Sequence, residues 1–164
     1  MRAAFGMLRF GMFPLVMRVW LPLTLAALLI GVALGQAGWF EVMREGSVED
    51  VRAALDAGAD LHAREDYGRT ALMFAARWNE NPEVAALLLD AGVDVHARDS
   101  DGRTALMWAA RHSGHPEFIQ ELLDYGADAA VTDSRGRRAI DHARDNERLQ
   151  DTDVYWRLHD ASFD

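Results

Sequence analysis

Residues 85–111 read AALLLDAGVDVHARDSDGRTALMWAAR, and closely similar stretches begin 34 residues before and after them. Residues 51–77 read VRAALDAGADLHAREDYGRTALMFAAR, and residues 119–144 read IQELLDYGADAAVTDSRGRRAIDHAR. A fixed period of this length is typical of a stacked array of one supersecondary unit. The repeat therefore predicts the architecture, whereas no residue pattern in it predicts a reaction. Glycines recur in register at Gly58, Gly92 and Gly126, and again at Gly68, Gly102 and Gly136.

The composition narrows the classes of protein to which this chain can belong. Half of its 164 residues are apolar, which is enough for a packed core. It contains no cysteine, so disulfides, thiolate metal sites and a cysteine nucleophile are excluded. Its 17 basic residues are all arginine and stand against 26 acidic residues, for a net charge of −9. A surface this acidic repels a phosphate backbone, so the sequence predicts no nucleic-acid partner.

Residues 1–35 carry the features of an export signal. No charged residue occurs from Val19 to Phe40, and the three arginines of the segment all lie on the N-terminal side of this run. The small residues Ala33 and Gly35 offer a cleavage site for a signal peptidase. This order of basic, apolar and small residues is typical of a secretory signal peptide. A start at Met17 would leave a more compact version of the same signal.

The same segment also fits an uncleaved membrane anchor. A spanning helix needs about 20 apolar residues, and this run just reaches that length. In either case the basic flank stays in the cytoplasm and the repeats lie on the outer side of the membrane. In a bacterium that side is the periplasm. We therefore expect an exported protein, either periplasmic or anchored at the outer face of the cytoplasmic membrane.

Each unit reads as two short helices. In the middle unit Thr104 can cap the first helix, and Leu106 and Trp108 form its apolar face with the neighbouring alanines. Pro116 stands where a first helical residue tolerates it, because its missing N–H would be unpaired anyway. Gly126 is expected to end the second helix in the left-handed conformation.

The preceding unit repeats this order. Thr70 stands at the cap, Leu72 and Phe74 lie on the apolar face, and Asn81-Pro82 begins the second helix. A single pair of such helices cannot bury its apolar faces alone, so stability comes from stacking neighbouring pairs.

Two short motifs in these units resemble the ankyrin repeat family. Residues 70–76 and 104–110 read TALMFAA and TALMWAA, close to the family's opening Thr-Pro-Leu-His-x-Ala-Ala. Residues 88–94 and 122–128 read LLDAGVD and LLDYGAD, close to its Leu-Leu-x-x-Gly-Ala-Asp. Alanine replaces the family's proline, methionine replaces its histidine, and the period is 34 residues rather than about 33. The extra residue falls between the two helices, where it lengthens a surface loop.

The resemblance implies an all-α fold: an ankyrin-type solenoid of stacked helix-turn-helix repeats joined by tight β-turns and preceded by an apolar N-terminal helix. Residues 1–35 are then the signal or anchor, and residues 36–164 form the repeat domain. The domain divides into an N-terminal capping repeat, two full repeats and a C-terminal capping repeat. These are expected at residues 36–68, 69–102, 103–136 and 137–164.

The two ends of the array read as caps. Ser47 can cap the second helix of the first unit. Arg144 stands where the full units have alanine, and a charge at that packing position indicates that no further unit stacks there. The residues expected to close the core in a last helix are Val154, Tyr155, Trp156 and Leu158.

In ankyrin repeat proteins the first helices and the loop tips form the concave binding surface. Methionine adapts to the shape of a partner, and tryptophan anchors it. An alternative stays open in which the two methionines pack between units and the tryptophan covers the loop. The partner-binding set that the resemblance implies is Met73, Arg77, Trp78, Met107, Arg111 and His112.

The tips of the turns are acidic. They lie at residues 65–67, 99–101 and 133–135, each close to an arginine. Two interpretations are open: the tips contact a basic partner, or each aspartate bonds the backbone of its own turn.

The histidines and aspartates do not form a recognisable metal or catalytic motif. The turn after Asp99 lacks the closing glutamate of a calcium loop. His62 and His96 occupy equivalent places one unit apart, which is too far for a shared metal ion. Asp141-His142 is a helix cap with no nucleophile motif beside it. The sequence therefore predicts neither a metal nor another cofactor.

These observations predict a non-enzymatic module that binds another protein. An alternative is a protective or inhibitory envelope factor that acts on one periplasmic enzyme through the same surface. A remote alternative is an enzyme with an unfamiliar site, which would need a deep pocket with converging ionisable groups. Contact with a membrane is expected only through residues 1–35, if they are retained.

Overall fold

The structure is a computed structural model that describes residues 36–79 and 81–163. The predicted signal or anchor lies outside the described residues. The prediction of an all-α fold is confirmed, since the described ranges contain eight helices and no strand. None of these helices is both long and apolar enough to cross a bilayer. They are α1 (Gln36–Glu45), α2 (Val48–Asp56), α3 (Ala71–Trp78), α4 (Glu83–Asp90), α5 (Ala105–His112), α6 (Pro116–Asp124), α7 (Ala139–Ala143) and α8 (Asp153–Ala161).

The helices stack in two rows. The first helices of the units, α1, α3, α5 and α7, pack each against the next, and α2, α4, α6 and α8 do the same. Leu72 in α3 and Leu106 in α5 are at most 1% exposed. Ala75 and Ala109 are completely buried in the same two helices, and their small side chains let neighbouring first helices approach closely. The core is therefore one continuous layer between the two rows.

The second helices end as predicted. Gly92 follows α4 with a φ of 91°, and Gly126 follows α6 with a φ of 84°. This is the left-handed region, which glycine adopts at little cost because it has no Cβ. The other glycines that recur in register share a positive φ: Gly58, Gly68, Gly102 and Gly136.

The predicted helix caps form at two of three positions. The Ser47 hydroxyl accepts from the N–H of Asp50 at 3.2 Å, and the Asp50 carboxylate accepts from the N–H of Ser47 at 3.0 Å. The Thr104 hydroxyl accepts from the N–H of Met107 at 3.4 Å. The prediction is wrong for Thr70, whose buried hydroxyl has no hydrogen-bond partner among the described residues. Nothing in the structure explains this difference, because the two threonines have nearly the same backbone angles.

Arginines in the turns tie each unit to the next. Arg64 Nη1 donates to the carbonyl of Gly68 in its own turn and to that of Arg98 in the next unit, both at 2.9 Å. Arg98 repeats the arrangement by donating to the carbonyls of Gly102 and Thr132. Backbone N–H groups add one bond between successive turns, from Ser100 to Tyr67 and from Ser134 to Asp101.

The last helix closes the array differently from the prediction at one residue. Val154 and Leu158 in α8 are buried, and Tyr155 is half-buried. Trp156 is 56% exposed and so does not belong to the core. It lies two residues from both Val154 and Leu158, which places it on the opposite side of a helix with 3.6 residues per turn. Arg144 is exposed, as expected of the residue that ends the row of first helices.

Two asparagines reach back from the loop of one unit to the helix end of the unit before it. Asn79 Nδ2 donates to the carbonyls of Met43 at 3.3 Å and Gly46 at 3.1 Å. Asn146 Nδ2 donates in the same way to the carbonyls of Ala110 at 3.1 Å and Ser113 at 3.0 Å. These amides satisfy carbonyl groups left open at the ends of α1 and α5.

We expect Asn146→Ala to lower the free energy of unfolding by about 1–3 kcal/mol, because it leaves two carbonyls without their donor inside the stack. Urea denaturation followed by circular dichroism measures the loss. Gln120→Ala is the control, since Gln120 is exposed on α6 and makes no side-chain hydrogen bond with the described residues. The control is expected to stay within about 0.5 kcal/mol of the wild type. Equal losses in the two variants would contradict this role of Asn146.

Candidate functional site

A pocket of about 290 Å³ opens across three consecutive first helices. Helix α5 supplies four of its lining residues, α3 and α7 one each, and two turns supply the rest. It contains four arginines and two histidines and no acidic residue, so we refer to it as the basic pocket. The lining residues are Arg77, Arg103, Met107, Trp108, Arg111, His112, Arg135 and His142.

Trp108 is the centre around which the cations of the basic pocket are arranged. The Arg77 guanidinium lies 5.0 Å from the centroid of its ring, and the Arg103 guanidinium lies 5.1 Å from it. The His112 ring stacks against it at 5.5 Å with an angle of 23° between the planes. Such contacts between a cation and an aromatic face are favourable when the cation is partly desolvated. They place the positive charges of Arg77 and Arg103 close to one ring.

The positive charge of the basic pocket is not balanced within the described chain. Arg103 pairs with Asp101 at 2.8 Å. Arg77, Arg111 and Arg135 form no ion pair with any acidic residue in ranges 36–79 and 81–163. Within those ranges the Nε atoms of Arg77 and Arg103 are buried without a hydrogen-bond partner. The pocket therefore carries net positive charge, and two of its guanidinium N–H groups have no acceptor among the described residues.

Crowded cations change the titration of the side chains in the basic pocket. Burial lowers the pKa of Arg77, and repulsion from other arginines, including Arg111 and Arg103, lowers it further. Burial and the same arginines lower the pKa of His112 to about 4. At pH 7 His112 is therefore neutral, while the arginines remain charged.

His142 is held by an acid in the turn before it. Its Nε2 lies 3.1 Å from the Asp133 carboxylate, and both side chains are 1% exposed. Burial would raise the pKa of Asp133, but N–H groups of Arg137 and Arg135, the Arg137 guanidinium and His142 hold it well below its usual range. An ionised carboxylate only accepts, so Nε2 carries the proton of His142. Its Nδ1 is buried with no partner among the described residues.

The same acid-to-ring contact occurs one unit earlier. Trp108 Nε1 donates to Asp99 Oδ2 at 3.0 Å. Asp99 Oδ1 accepts from the backbone N–H groups of Asp101 at 2.9 Å and Arg103 at 2.8 Å. The interpretation that the tip aspartates bond their own turns is thus confirmed for Asp99 and Asp133. Their carboxylates accept hydrogen bonds from groups of the same chain, which leaves them poorly placed to contact a basic partner.

The structure brings together four of the residues in the predicted partner-binding set. Arg77, Met107, Arg111 and His112 line the basic pocket. Trp78 lies beside them, 48% exposed, with the Arg77 guanidinium 4.5 Å from its ring centroid. Trp78 also borders the loop residues Asn79 and Asn81.

Met73 and Met107 are core residues rather than exposed partner-binding residues. Each is 1% exposed. The reason is the position of their helices, because α3 packs between α1 and α5, and α5 packs between α3 and α7. A side chain on either flank of such a helix meets a neighbour. The alternative interpretation, in which both methionines pack between units, describes their surroundings.

Four residues of the basic pocket were not in the predicted set: Arg103, Trp108, Arg135 and His142. Trp108 was assigned to the apolar face, and its burial at 6% exposed agrees with that assignment. The sequence did contain a feature that could have pointed to Trp108 and His142. Phe74, Trp108 and His142 occupy equivalent positions one unit apart. The ring at this position is apolar in Phe74 but carries a hydrogen-bonding nitrogen in Trp108 and His142, which indicates that its surroundings differ between units.

No group of three or more His, Asp and Glu residues in the described part of the chain is placed to hold a metal ion. Comparison with known proteins agrees with the stacked architecture. A family model described as ankyrin repeats, in three copies, matches residues 39–133. A search of the curated proteins finds no match.

We expect Trp108→Phe to lower the free energy of unfolding by about 1–2 kcal/mol, because buried Asp99 loses a donor while the ring is kept. Urea denaturation measures the change. Trp156→Phe is the matched control on an exposed indole and is expected to stay within about 0.5 kcal/mol of the wild type. A loss in the control as large as that in Trp108→Phe would show that the Asp99 contact is not the cause.

Proposed function

The chain belongs to the ankyrin repeat family, and we propose that it is an exported, non-catalytic module that binds one partner protein with the basic pocket. Ankyrin repeats are protein–protein interaction modules, so the partner is a protein. The observation that carries the choice of surface is the unbalanced charge of the pocket next to an exposed tryptophan. Arginine and tryptophan are the residues that most often dominate the energy of a protein interface.

The rigidity of the stack supports a binding role. Arg77, Arg111 and His112 sit on helices that are packed on both sides, so the backbone that carries them is ordered before a partner arrives. A surface that is already ordered loses less conformational entropy when it binds. Trp78 adds an apolar face next to these charges.

The composition of the basic pocket argues against catalysis. A hydrolytic site needs a nucleophile or an acid next to its base. The lining holds no serine, threonine, aspartate or glutamate within the described chain. The carboxylate nearest to His142 is Asp133, and it is engaged by the turn.

Export rests on the sequence of residues 1–35. The uncharged run from Val19 to Phe40, with arginines on its N-terminal side, supports delivery of the repeats across a membrane. The partner would then be met in the periplasm or at the outer face of the cytoplasmic membrane.

We expect the double variant Trp78→Ala, Arg111→Ala to lose capture of the partner while its melting temperature stays nearly unchanged. Both side chains are exposed, so truncation removes contacts with a partner rather than packing. Affinity capture from periplasmic and membrane fractions, read by mass spectrometry, compares it with the wild type. The control Trp156→Ala, Arg52→Ala removes an exposed tryptophan and an exposed arginine from second helices. Retained capture by the first variant, or its unfolding, would contradict the assignment.

Export makes a separate prediction about the N-terminus. If residues 1–35 are a signal peptide, the protein recovered from the periplasmic fraction begins close to Gln36. If they are an anchor, the intact segment is recovered with the membrane fraction. Mass spectrometry of the N-terminal peptide distinguishes the two, and recovery of the chain only from the cytoplasm would contradict export altogether.

A further inference from the structure

The charge of the basic pocket is opposite to that of the chain around it. The chain as a whole carries a net charge of −9. The pocket nevertheless gathers arginines from two consecutive units, Arg77 from one and Arg111 and Arg135 among those from the next. Residues of one sign focused in a concave site create a local potential that attracts the opposite sign. The ligand of this pocket is therefore expected to carry negative charge.

The donors in the basic pocket are arranged for oxygen acceptors. The Nε atoms of Arg77 and Arg103 are buried and have no partner in the described chain. Guanidinium groups present several N–H donors in a planar fork that matches a carboxylate. The buried Nδ1 of His142 also lacks a partner among the described residues, and it can donate only when the ring is protonated.

We infer that the basic pocket receives carboxylate side chains from an acidic segment of the partner protein. This rests on the proposed function, and it specifies the chemistry by which the partner is recognised. A volume of about 290 Å³ admits a few side chains rather than a folded domain. A short segment rich in Asp and Glu carries the required negative charge and is small enough to enter the pocket.

The surroundings of the pocket favour such a segment over a nucleic acid. A phosphodiester backbone carries charge along its whole length and so extends beyond the arginines. At the margin it meets exposed Asp101, which pairs with Arg103, and the chain as a whole carries a net charge of −9. Repulsion there offsets what the pocket gains. A peptide can place its carboxylates in the pocket and neutral residues outside it.

Proton uptake accompanies binding of a carboxylate. His112 has a pKa of about 4 in the free protein because of burial and then of Arg77, Arg111, Arg103 and His142. Burial lowers the pKa of His142 too, as do Arg137 and Arg111, while Asp133 opposes them. A bound anion favours the charged form of both imidazoles and raises their pKa values. The complex therefore binds more protons than the free protein, so affinity rises as pH falls.

Fluorescence anisotropy with labelled hexaglutamate tests the inference on the purified chain at low ionic strength. We expect hexaglutamate to bind and hexaglutamine not to bind. Arg111→Gln is expected to weaken hexaglutamate binding by about tenfold or more. Arg52→Gln is the matched control, since it makes the same change of charge at an exposed position on α2 and is expected to change the Kd by less than about twofold. Binding should tighten as the pH falls toward about 5, because the pKa of His112 is about 4 in the free protein and rises in the complex, and His112→Gln should reduce that dependence.

Three results would overturn the inference. The first is equal binding of hexaglutamate and hexaglutamine, and the second is an equal loss in Arg111→Gln and Arg52→Gln. The third is tighter binding of a six-nucleotide thymidine strand than of hexaglutamate with the same dependence on Arg111, which would assign the pocket to phosphate.

The hexaglutamate experiment and the partner-capture experiment can fail independently of each other. If partner capture depends on Trp78 and Arg111 but hexaglutamate does not bind, the acidic segment is wrong and the binding module stands. If hexaglutamate binds in the pocket but no captured protein depends on those two residues, the proposed function is wrong.

Discussion

The packing of each first helix between two neighbours is the constraint on which the rest of this structure depends. Helices of eight residues, such as α3 and α5, are too short to be stable alone in water, and each exposes an apolar face that one partner helix does not cover. Complete burial of Ala75 and Ala109 shows how closely the helices of this row approach one another. The loops, turns and capping side chains then serve one purpose, which is to hold successive units at the spacing that this contact requires.

The sequence predicted the repeat well because each unit needs the same residue types at positions with a special backbone conformation. A glycine that must take a positive φ, such as Gly92, has few substitutes, so its recurrence is visible without any structure. Contacts between units were harder to predict. Whether Met107 faces solvent or a neighbouring helix depends on the distance between helices, which no single unit contains. The prediction for Trp156 was wrong for a related reason, since among the described residues α8 has one neighbour in its own row, α6, and its apolar face is narrower. The basic pocket combines side chains from three units, so no short sequence motif predicts it.

The units of this protein differ from one another in the side chains at equivalent positions. Phe74, Trp108 and His142 occupy the same place in three units, and the acidic residue at the equivalent position of the preceding turn is Glu65, Asp99 and Asp133, respectively. Trp108 and His142 both donate to an aspartate in the preceding turn, at 3.0 and 3.1 Å. Phe74 has no such donor and instead lies 4.9 Å from the Arg69 guanidinium. One backbone plan thus presents three different chemical environments along a single row, and the basic pocket forms where two of them meet.

The arginine that joins one turn to the next also bears on how such an array can change its length. Arg64 reaches the carbonyl of Arg98, and Arg98 reaches the carbonyl of Thr132. The third turn has threonine at the equivalent position, so this line of side-chain links stops there. A duplication of the middle segment would carry its own connector and join at both ends, whereas a segment added after the third turn would lack one. Gene duplication is therefore expected to lengthen this protein from within and to leave its last turn as a fixed terminus.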